Sequence, residues 1–422
     1  MNCDKVLYFF EKINEIPRGS GNEKAISDYL VEFAKERCLW VHQDKANNVI
    51  IKKKGSKGYE DHEPVVIQGH MDMVCEKNPD VKHDFEKDPI KVIYDGDYIH
   101  ADGTTLGADD GIAVAMAMAL LDDENAVHPP VEVVITTDEE VGMLGAANLD
   151  ATLIEGRKLL NIDSEEEGIF TVGCAGGVKT ESEIPVELVK PDHDKFARII
   201  VTDLEGGHSG IDIDKERANA NKIIARVLDR VISTEKAQIC SVNGGAKDNA
   251  IPRYAEAVVC CDNIGSLEAT VNIVKEEIRA EYALTDSNIE IKTEEVEICD
   301  NVFSTDSAKR LLTAILLMPN GVQSVNLELN MPESSNNIGV VKMNGNSVSL
   351  ICAVRSSVIT RKAYIKNQIE KLTEICGGTV KSHGDYPAWE YRAESPLRDL
   401  FVDVYRECYK SEPKVETVHA GL

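Results

Sequence analysis

Four stretches of this 422-residue chain finish an apolar run in side chains that could hold a cation or move a proton. "VVIQGHMD" ends in His70 and Asp72, and "TTLGADDGIAVA" carries Asp109 and Asp110. "VEVVITTDEEVG" runs into Glu139 and Glu140, and "KLLNIDSEEEG" into Asp163. A single acid at a strand end is usually a turn or cap residue. If four such ends met in one crevice, their carboxylates would face one another, and like charges at close range cannot all ionise. A pair of bound divalent metals resolves the conflict. Imidazole and carboxylate donors without thiolate suit zinc, manganese or cobalt. Such a pair activates a water and polarises a carbonyl, and a free carboxylate nearby can take the water's proton.

The elements that must position these residues follow from pattern. "NVIIKKKG", "PVVIQGH", "VEVVITTDEEVG" and "KLLNIDSEEEG" read as strands. "GIAVAMAMALLDD" is apolar nearly all round and reads as a buried helix. In "PRGSGNE", Ser20 or Asn22 is expected to cap the helix that follows. Strands alternating with helices describe an α/β sheet, mixed and mostly parallel, with ligands at the carboxyl ends of its strands. The character changes near residue 183. From there the strand and helix patterns resemble two α+β halves in tandem, each with two helices on one antiparallel sheet. Near residue 384 the chain returns to loop and amphipathic helix. The expected division is a catalytic domain over 1–182, an inserted domain over 183–383 and a return to the first domain over 384–422.

A net charge of -27 argues against nucleic acid or an anionic membrane as partner. No apolar run approaches the ~20 residues that span a bilayer, and the N-terminus lacks a signal-peptide pattern. Eleven cysteines with no C-x-x-C pair suit reduced thiols in the cytoplasm.

The set "GHMD", "TTLGADDG", "TDEEVGMLGA", "NIDSEEEG", "GGHSG" and "HAGL", in this order, resembles the M20 metallopeptidases, and among them the aminoacyl-histidine dipeptidase branch. "IPRGSGNE", "SSNNIG" and "VRSS" extend the resemblance over essentially the whole chain. It implies that His70 and Asp163 bind one metal, that Asp109 bridges two and that Glu140 binds the second. Glu139 would be the general base. Asp72 would hold the other nitrogen of His70 and fix its tautomer, and the spacing permits this, because residues two apart project to one side of an extended segment. The resemblance also implies a cis peptide between Asp109 and Asp110.

The same resemblance makes the middle region a lid of two ferredoxin-like halves. His208 in "GGHSG" would stabilise charge on the scissile carbonyl oxygen. Arg355 in "AVRSS" would grip the substrate's carboxylate. Asn249 in "DNAIPR" and Asn337 in "SSNNIG" would offer polar contacts, with turn residues as the plainer alternative for both. A homodimer is compatible with this reading and not required by it. The chain stops at "VETVHAGL", where relatives continue, so the last metal-binding histidine is expected beyond residue 422. His419 does not match that ligand. The expected activity is hydrolysis of unblocked dipeptides, Xaa-His included. An aminoacylase-like amide hydrolase and a catalytically inactive scaffold are the alternatives.

Overall fold

The computed structural model describes residues 3–164, 166–297 and 299–421. Glu165 of "NIDSEEEG" and Leu422 of "HAGL" therefore lie outside the described residues. The chain divides into two compact units, Met1–Glu167 and Gly168–Leu422. No helix among the described residues is long and apolar enough to cross a membrane.

The first unit opens with helices α1 (Cys3–Asn14) and α2 (Lys24–Glu36) and strands β1 (Trp40–Gln43), β2 (Val49–Lys53) and β3 (Val65–His70). A small hairpin, β4 (Val92–Asp95) and β5 (Tyr98–Ala101), precedes helix α3 (Ala108–Asp122). Strand β6 (Val131–Thr136), the short helix α4 (Leu144–Asn148) and strand β7 (Lys158–Asn161) complete it. The sheet order is β1-β2-β6-β3-β7. β3 runs parallel to β6 and β7, while β1–β2 and β2–β6 are antiparallel. The sheet is thus mixed, with parallel pairing confined to the strands whose carboxyl ends carry the expected site.

Local sequence accounts for these elements. Val6, Phe9, Phe10 and Ile13 of α1 are buried, at the spacing of one helical face. α3 is built of small and apolar residues and buries eight of the twelve after Asp110. It packs against α1 and β3. Asp109 and Asp110 have non-helical backbone angles, so the regular helix starts only after them. The peptide bond between them is cis. β6 is buried along its whole length, which is why it reads as a continuous apolar run rather than an alternation. Its one acid, Glu132, accepts from Lys52 Nζ at 2.7 Å and from the Gly156 N–H at 2.8 Å.

The second unit starts with β8 (Ile169–Cys174), β9 (Gly176–Pro185) and β10 (Leu188–Val189). There follow β11 (Lys195–Thr202), β12 (Gly207–His208), α5 (Ala220–Glu235), β13 (Gln238–Gly244) and β14 (Ala250–Ile251). Next come β15 (Ala255–Cys261), α6 (Ile264–Glu281), β16 (Glu290–Glu295), β17 (Val302–Phe303) and α7 (Thr305–Leu317). The unit ends with β18 (Gly321–Asn326), β19 (Met331–Asn344), β20 (Ser347–Ser356), α8 (Ile359–Ile375), β21 (Thr379–Tyr386), α9 (Pro396–Tyr409) and β22 (Lys414–Val418).

Its main sheet has the order β16-β11-β15-β13-β19-β20-β9-β21, with β18 beside β19. Two β-α-β-β-α-β sets make it up. One is β11-α5-β13-β15-α6-β16, and the other is β9-α7-β19-β20-α8-β21. Within each, the first strand lies between the third and the fourth, the ferredoxin-like order. The two edges join through β13 and β19, at Asn243↔Lys342 and Gly244↔Val341.

The expected tandem arrangement is corrected here. One half is nested inside the other, between β9 and α7. A two-residue ladder, Leu188↔Phe303 and Val189↔Val302, ties the ends of the insertion together. Residues 384–422 are grouped with the second unit. Within it, β22 pairs in parallel with β8 as a two-stranded sheet apart from the antiparallel one.

Candidate metal centre and a second polar cluster

His70 is the last residue of β3 and is 1% exposed. Its Nδ1 lies 3.2 Å from Asp72 Oδ1 and 3.1 Å from the Asp72 carbonyl oxygen. Its Nε2 lies 3.1 Å from Asp109 Oδ1, 3.7 Å from Asp163 Oδ1 and 4.0 Å from Glu139 Oε2. The four stretches therefore do meet, but only three are strand ends, those of β3, β6 and β7; Asp109 and Asp110 instead open α3. Asp72, fully buried, holds more than the imidazole. Its Oδ1 accepts from the Glu139 N–H at 3.1 Å, and its Oδ2 accepts from the Glu140 N–H at 3.2 Å and from Ser20 Oγ at 2.9 Å. One carboxylate thus fixes both the ring and the turn that carries the two glutamates. Ser20 does not cap α2. The residue before that helix is Glu23, which makes no side-chain cap bond.

The electrostatics ask for a cation. Burial works against charge on His70, yet Asp109, Asp163 and Asp72 outweigh it and push the ring up to about 12. Burial raises the Glu139 carboxyl to about 7, with Asp163 and Glu140 adding to the rise. Burial likewise raises Glu140 and Asp163. Asp72 is also desolvated, but His70, the Glu139 N–H and Ser20 hold it below the usual carboxylate range. Two unit charges 4 Å apart repel by about 4 kcal/mol at an effective dielectric of ~20. A cluster of this density is therefore relieved by protons or by metal, and the two compete for the same donors.

The donor set fits a divalent ion. Donor atoms of His70, Asp109 and Glu140 lie within 4.8 Å of one another, and so do those of His70, Asp110 and Asp163. Nδ1 of His70 is taken by Asp72, so only Nε2 is free to bind, and the two groupings are alternatives for that ring. Asp110 had no role in the sequence reading. It is 1% exposed, and its Oδ2 accepts from the His70 N–H at 3.1 Å. Burial, with Asp163 next, lifts its carboxyl to about 8. Gly69 makes room for it, because a Cβ there would stand 2.4 Å from Asp110 Oδ2.

The expected substrate residues fall in the second unit. His208 Nδ1 accepts from the N–H groups of Gly210 at 3.2 Å and Ile211 at 3.1 Å. Its ring proton therefore sits on Nε2, which is free to donate. Burial, then Arg355, lowers its pKa, so the ring is neutral. Arg355, 8% exposed, donates through Nη1 to the Tyr386 hydroxyl at 3.0 Å, and its buried Nε has no partner. A Cβ at Gly210 would meet His208 Cε1 at 3.1 Å and Arg355 Nε at 3.2 Å, so both flank that glycine.

His419 joins this cluster, a placement not read from sequence. It is 5% exposed, and its Nε2 lies 2.7 Å from Ser335 Oγ. Burial, then Arg355, lowers its pKa to about 4. Asn249 is exposed on the turn between β13 and β14, and its carbonyl accepts from the Ser209 N–H at 2.9 Å. Asn337 is different. Both its amide hydrogens go to backbone, to Asp248 O at 3.1 Å and Ala250 O at 2.8 Å. It anchors the turn that bears Asn249 and has no N–H left for a ligand.

An α/β unit whose parallel strands end in an imidazole and carboxylates is built for metal-dependent hydrolysis. Residues 66–421 match the family described as Peptidase family M20/M25/M40. The chain is 37% identical over 418 residues to the cytosol non-specific dipeptidase of Escherichia coli (strain K12), which spans 98% of this chain and 86% of that protein. The crystal structure of aminoacylhistidine dipeptidase from Vibrio alginolyticus matches with a TM-score of 0.94 and 36% identity, over 99% of this chain and 86% of that one. Aminopeptidase PepT from Bacillus cereus shares the fold at 16% identity and a TM-score of 0.53, over 100% of this chain and 86% of that one. The chain belongs to the M20/M25/M40 peptidase family.

Proposed function

We propose that this protein is a cytoplasmic metallo-dipeptidase that hydrolyses unblocked dipeptides, Xaa-His among them. The observation that carries the reading is the convergence of His70, Asp109, Glu139, Glu140 and Asp163 around one ring nitrogen, at three strand ends and the start of α3. Two divalent ions, zinc first and manganese or cobalt next, would be held by His70, Asp109, Glu140 and Asp163 and would supply Lewis-acid activation of water and carbonyl.

The chain's own residues do the rest. Glu139 takes a proton from the attacking water and returns it to the leaving amine. Asp72 keeps the His70 proton on Nδ1, leaving Nε2 a donor of electrons, and clamps the backbone under Glu139 and Glu140. In the second unit, Nε2–H of His208 is the donor toward developing negative charge on the carbonyl oxygen. Arg355 is the group for the substrate's carboxylate, and Asn249 adds a polar contact. The parallel β8–β22 pair, distinct from the antiparallel sheet, supports assigning 384–422 to the catalytic domain; the boundary expected at 182/183 moves to the β8–β9 turn, because β9 is a strand of the lid sheet.

The test uses Ala-His and N-acetylalanine side by side, before and after chelation and with zinc, manganese or cobalt added back. The expected outcome is release from Ala-His alone, lost on chelation and restored by metal. Preferential release from N-acetylalanine would make the protein an aminoacylase. No release from either, with metal bound, would make it a binding scaffold.

A further inference from the structure

The loop between α1 and α2 contributes no metal ligand, yet it touches three of the four turns that do. Arg18, 2% exposed, donates through Nη1 to the carbonyl oxygens of Met71 at 3.0 Å and Asp72 at 3.3 Å. Through Nη2 it donates to the Gly107 carbonyl and to Asn14 Oδ1 at 3.3 Å. Ser20 holds Asp72. The Gly21 N–H donates to Asp138 Oδ1 at 2.9 Å, and Glu23 Oε1 accepts from the Asp138 N–H at 3.0 Å. Three ligand-bearing turns, at 70–72, 107–109 and 138–140, are thus pinned to one segment.

We propose that Arg18 is a positioning residue of the metal centre, whose planar guanidinium sets the separation between the His70–Asp72 turn and the Gly107–Asp109 turn. The proposal rests on the dipeptidase reading above. Four features carry it. First, the guanidinium reaches both turns at once, which a fixed fork of donors can do and a single ammonium cannot. Second, all its partners are neutral oxygens. A buried charge without a carboxylate mate is costly, and an apolar side chain would fill the space at less expense. Third, with no carboxylate bound to it, its charge acts at longer range on nearby acids, Asp72 first, then Asp110 and Asp109. Fourth, two glycines clear its place. A Cβ at Gly107 would lie 2.4 Å, and one at Gly111 2.6 Å, from Nη2. His70 Nε2 and Asp109 Oδ1, on the two turns so joined, stand 3.1 Å apart. Small errors in that separation decide whether one ion can be shared.

The experiment compares wild type, Arg18→Lys, Arg18→Met, Gly111→Ala and the Arg18→Met/Gly111→Ala double variant. Co2+ dissociation constants come from visible absorbance, folding from circular dichroism and thermal unfolding, and kcat and KM from Ala-His hydrolysis at saturating Co2+. Arg18→Lys is expected to weaken Co2+ binding about tenfold and to lower kcat about 10²-fold, the scale of an ångström's misplacement, with KM within about threefold. Gly111→Ala crowds the guanidinium and should weaken Co2+ binding alone, but add nothing in the Arg18→Met background, because coupled sites are not additive.

Wild-type Co2+ constants and kcat in folded Arg18→Lys, or additive effects of Gly111→Ala, would overturn the proposal. If both Arg18 variants fail to fold, Gly111→Ala decides alone, and an unchanged Co2+ constant there overturns it. A wild-type chain that binds Co2+ without hydrolysing Ala-His would instead sink the dipeptidase reading, and with it a role for Arg18 in that reaction.

Discussion

In the first unit, Asp72, Asp109, Asp110, Glu139, Glu140 and Asp163 crowd around one imidazole. In the second, the buried Nε of Arg355 and Oγ of Ser209 have no protein partner. One cluster holds more negative charge than its donors can balance, and the other holds polar atoms without enough partners. Neither is what stability alone would select, since unpaired buried polar atoms cost about 1–3 kcal/mol each. The two clusters call for opposite partners: acids are offset by cations, and a guanidinium is satisfied by a carboxylate.

The sharpest break of the comparison lies inside the acidic cluster. Asp109→Ala should abolish tight metal binding and reduce Ala-His hydrolysis to background, read by metal analysis beside the assay. Glu139→Gln should keep the metal while kcat falls by ~10²-fold or more, the scale of a lost proton-transfer group. Equal metal loss in both variants would erase the distinction between ligand and base.

Arg355→Met probes the other cluster, and its effect should be smaller and differently placed. Hydrogen bonds to charged groups contribute about 1.5–3 kcal/mol, so KM for Ala-His should rise by roughly 10–100-fold with metal content unchanged. A C-terminally amidated dipeptide should not feel the substitution. A fall in kcat with KM constant would remove the carboxylate role.

The smallest effect concerns His419 and stability alone. Its folded pKa, about 4, lies below the ~6.5 of an unfolded histidine. The unfolded chain therefore binds more protons between those values, and stability falls as pH drops from about 6.5 to 4. The full contribution is about 3 kcal/mol by order of magnitude. Thermal unfolding scanned over that window should show a steeper acid loss in wild type than in His419→Gln. Parallel curves would mean that the ring is solvated in the folded chain.

The acidic half of the site was legible because each of its residues borders an apolar run, closing it at His70, Glu139 and Asp163 and opening it at Asp109, a signal carried within a few positions of sequence. β3, β6 and β7 fall where "PVVIQGH", "VEVVIT" and "KLLN" place them. Residues that act through backbone were not legible. Arg18 and Ser20 look like loop polar groups until Met71, Asp72 and Gly107 are brought to them across long separations. For Asn337 the sequence leaves ligand contact and turn residue open, and only the fold decides for the turn, because both its N–H groups are used there.

The nesting of the second unit was hidden for a related reason. β9 buries Thr180 and Ser182 on the same face as Val178 and Ile184. Half of its buried face is therefore polar, and its alternation did not stand out as the first strand of a half that resumes at α7. His419 was masked by its motif, whose neighbours say nothing of Ser335.

The ladder between β10 and β17 bears on how the second unit folds. Closing the outer half joins β9 to β20, and their chain separation includes the whole insertion. If the inner half collapses first, Leu188–Val189 and Val302–Phe303 meet, and the path between β9 and α7 shortens from about 120 residues to a few. The entropy of closing that path is then lost in making the inner half, not the outer one. Contacts that are remote in sequence become near neighbours along the effective chain, which favours rapid pairing. Pulse-labelled amide exchange reads this order directly: protection of β11, β13 and β15 should precede that of β9 and β20, and the reverse order would mean that the insertion folds into a frame already closed.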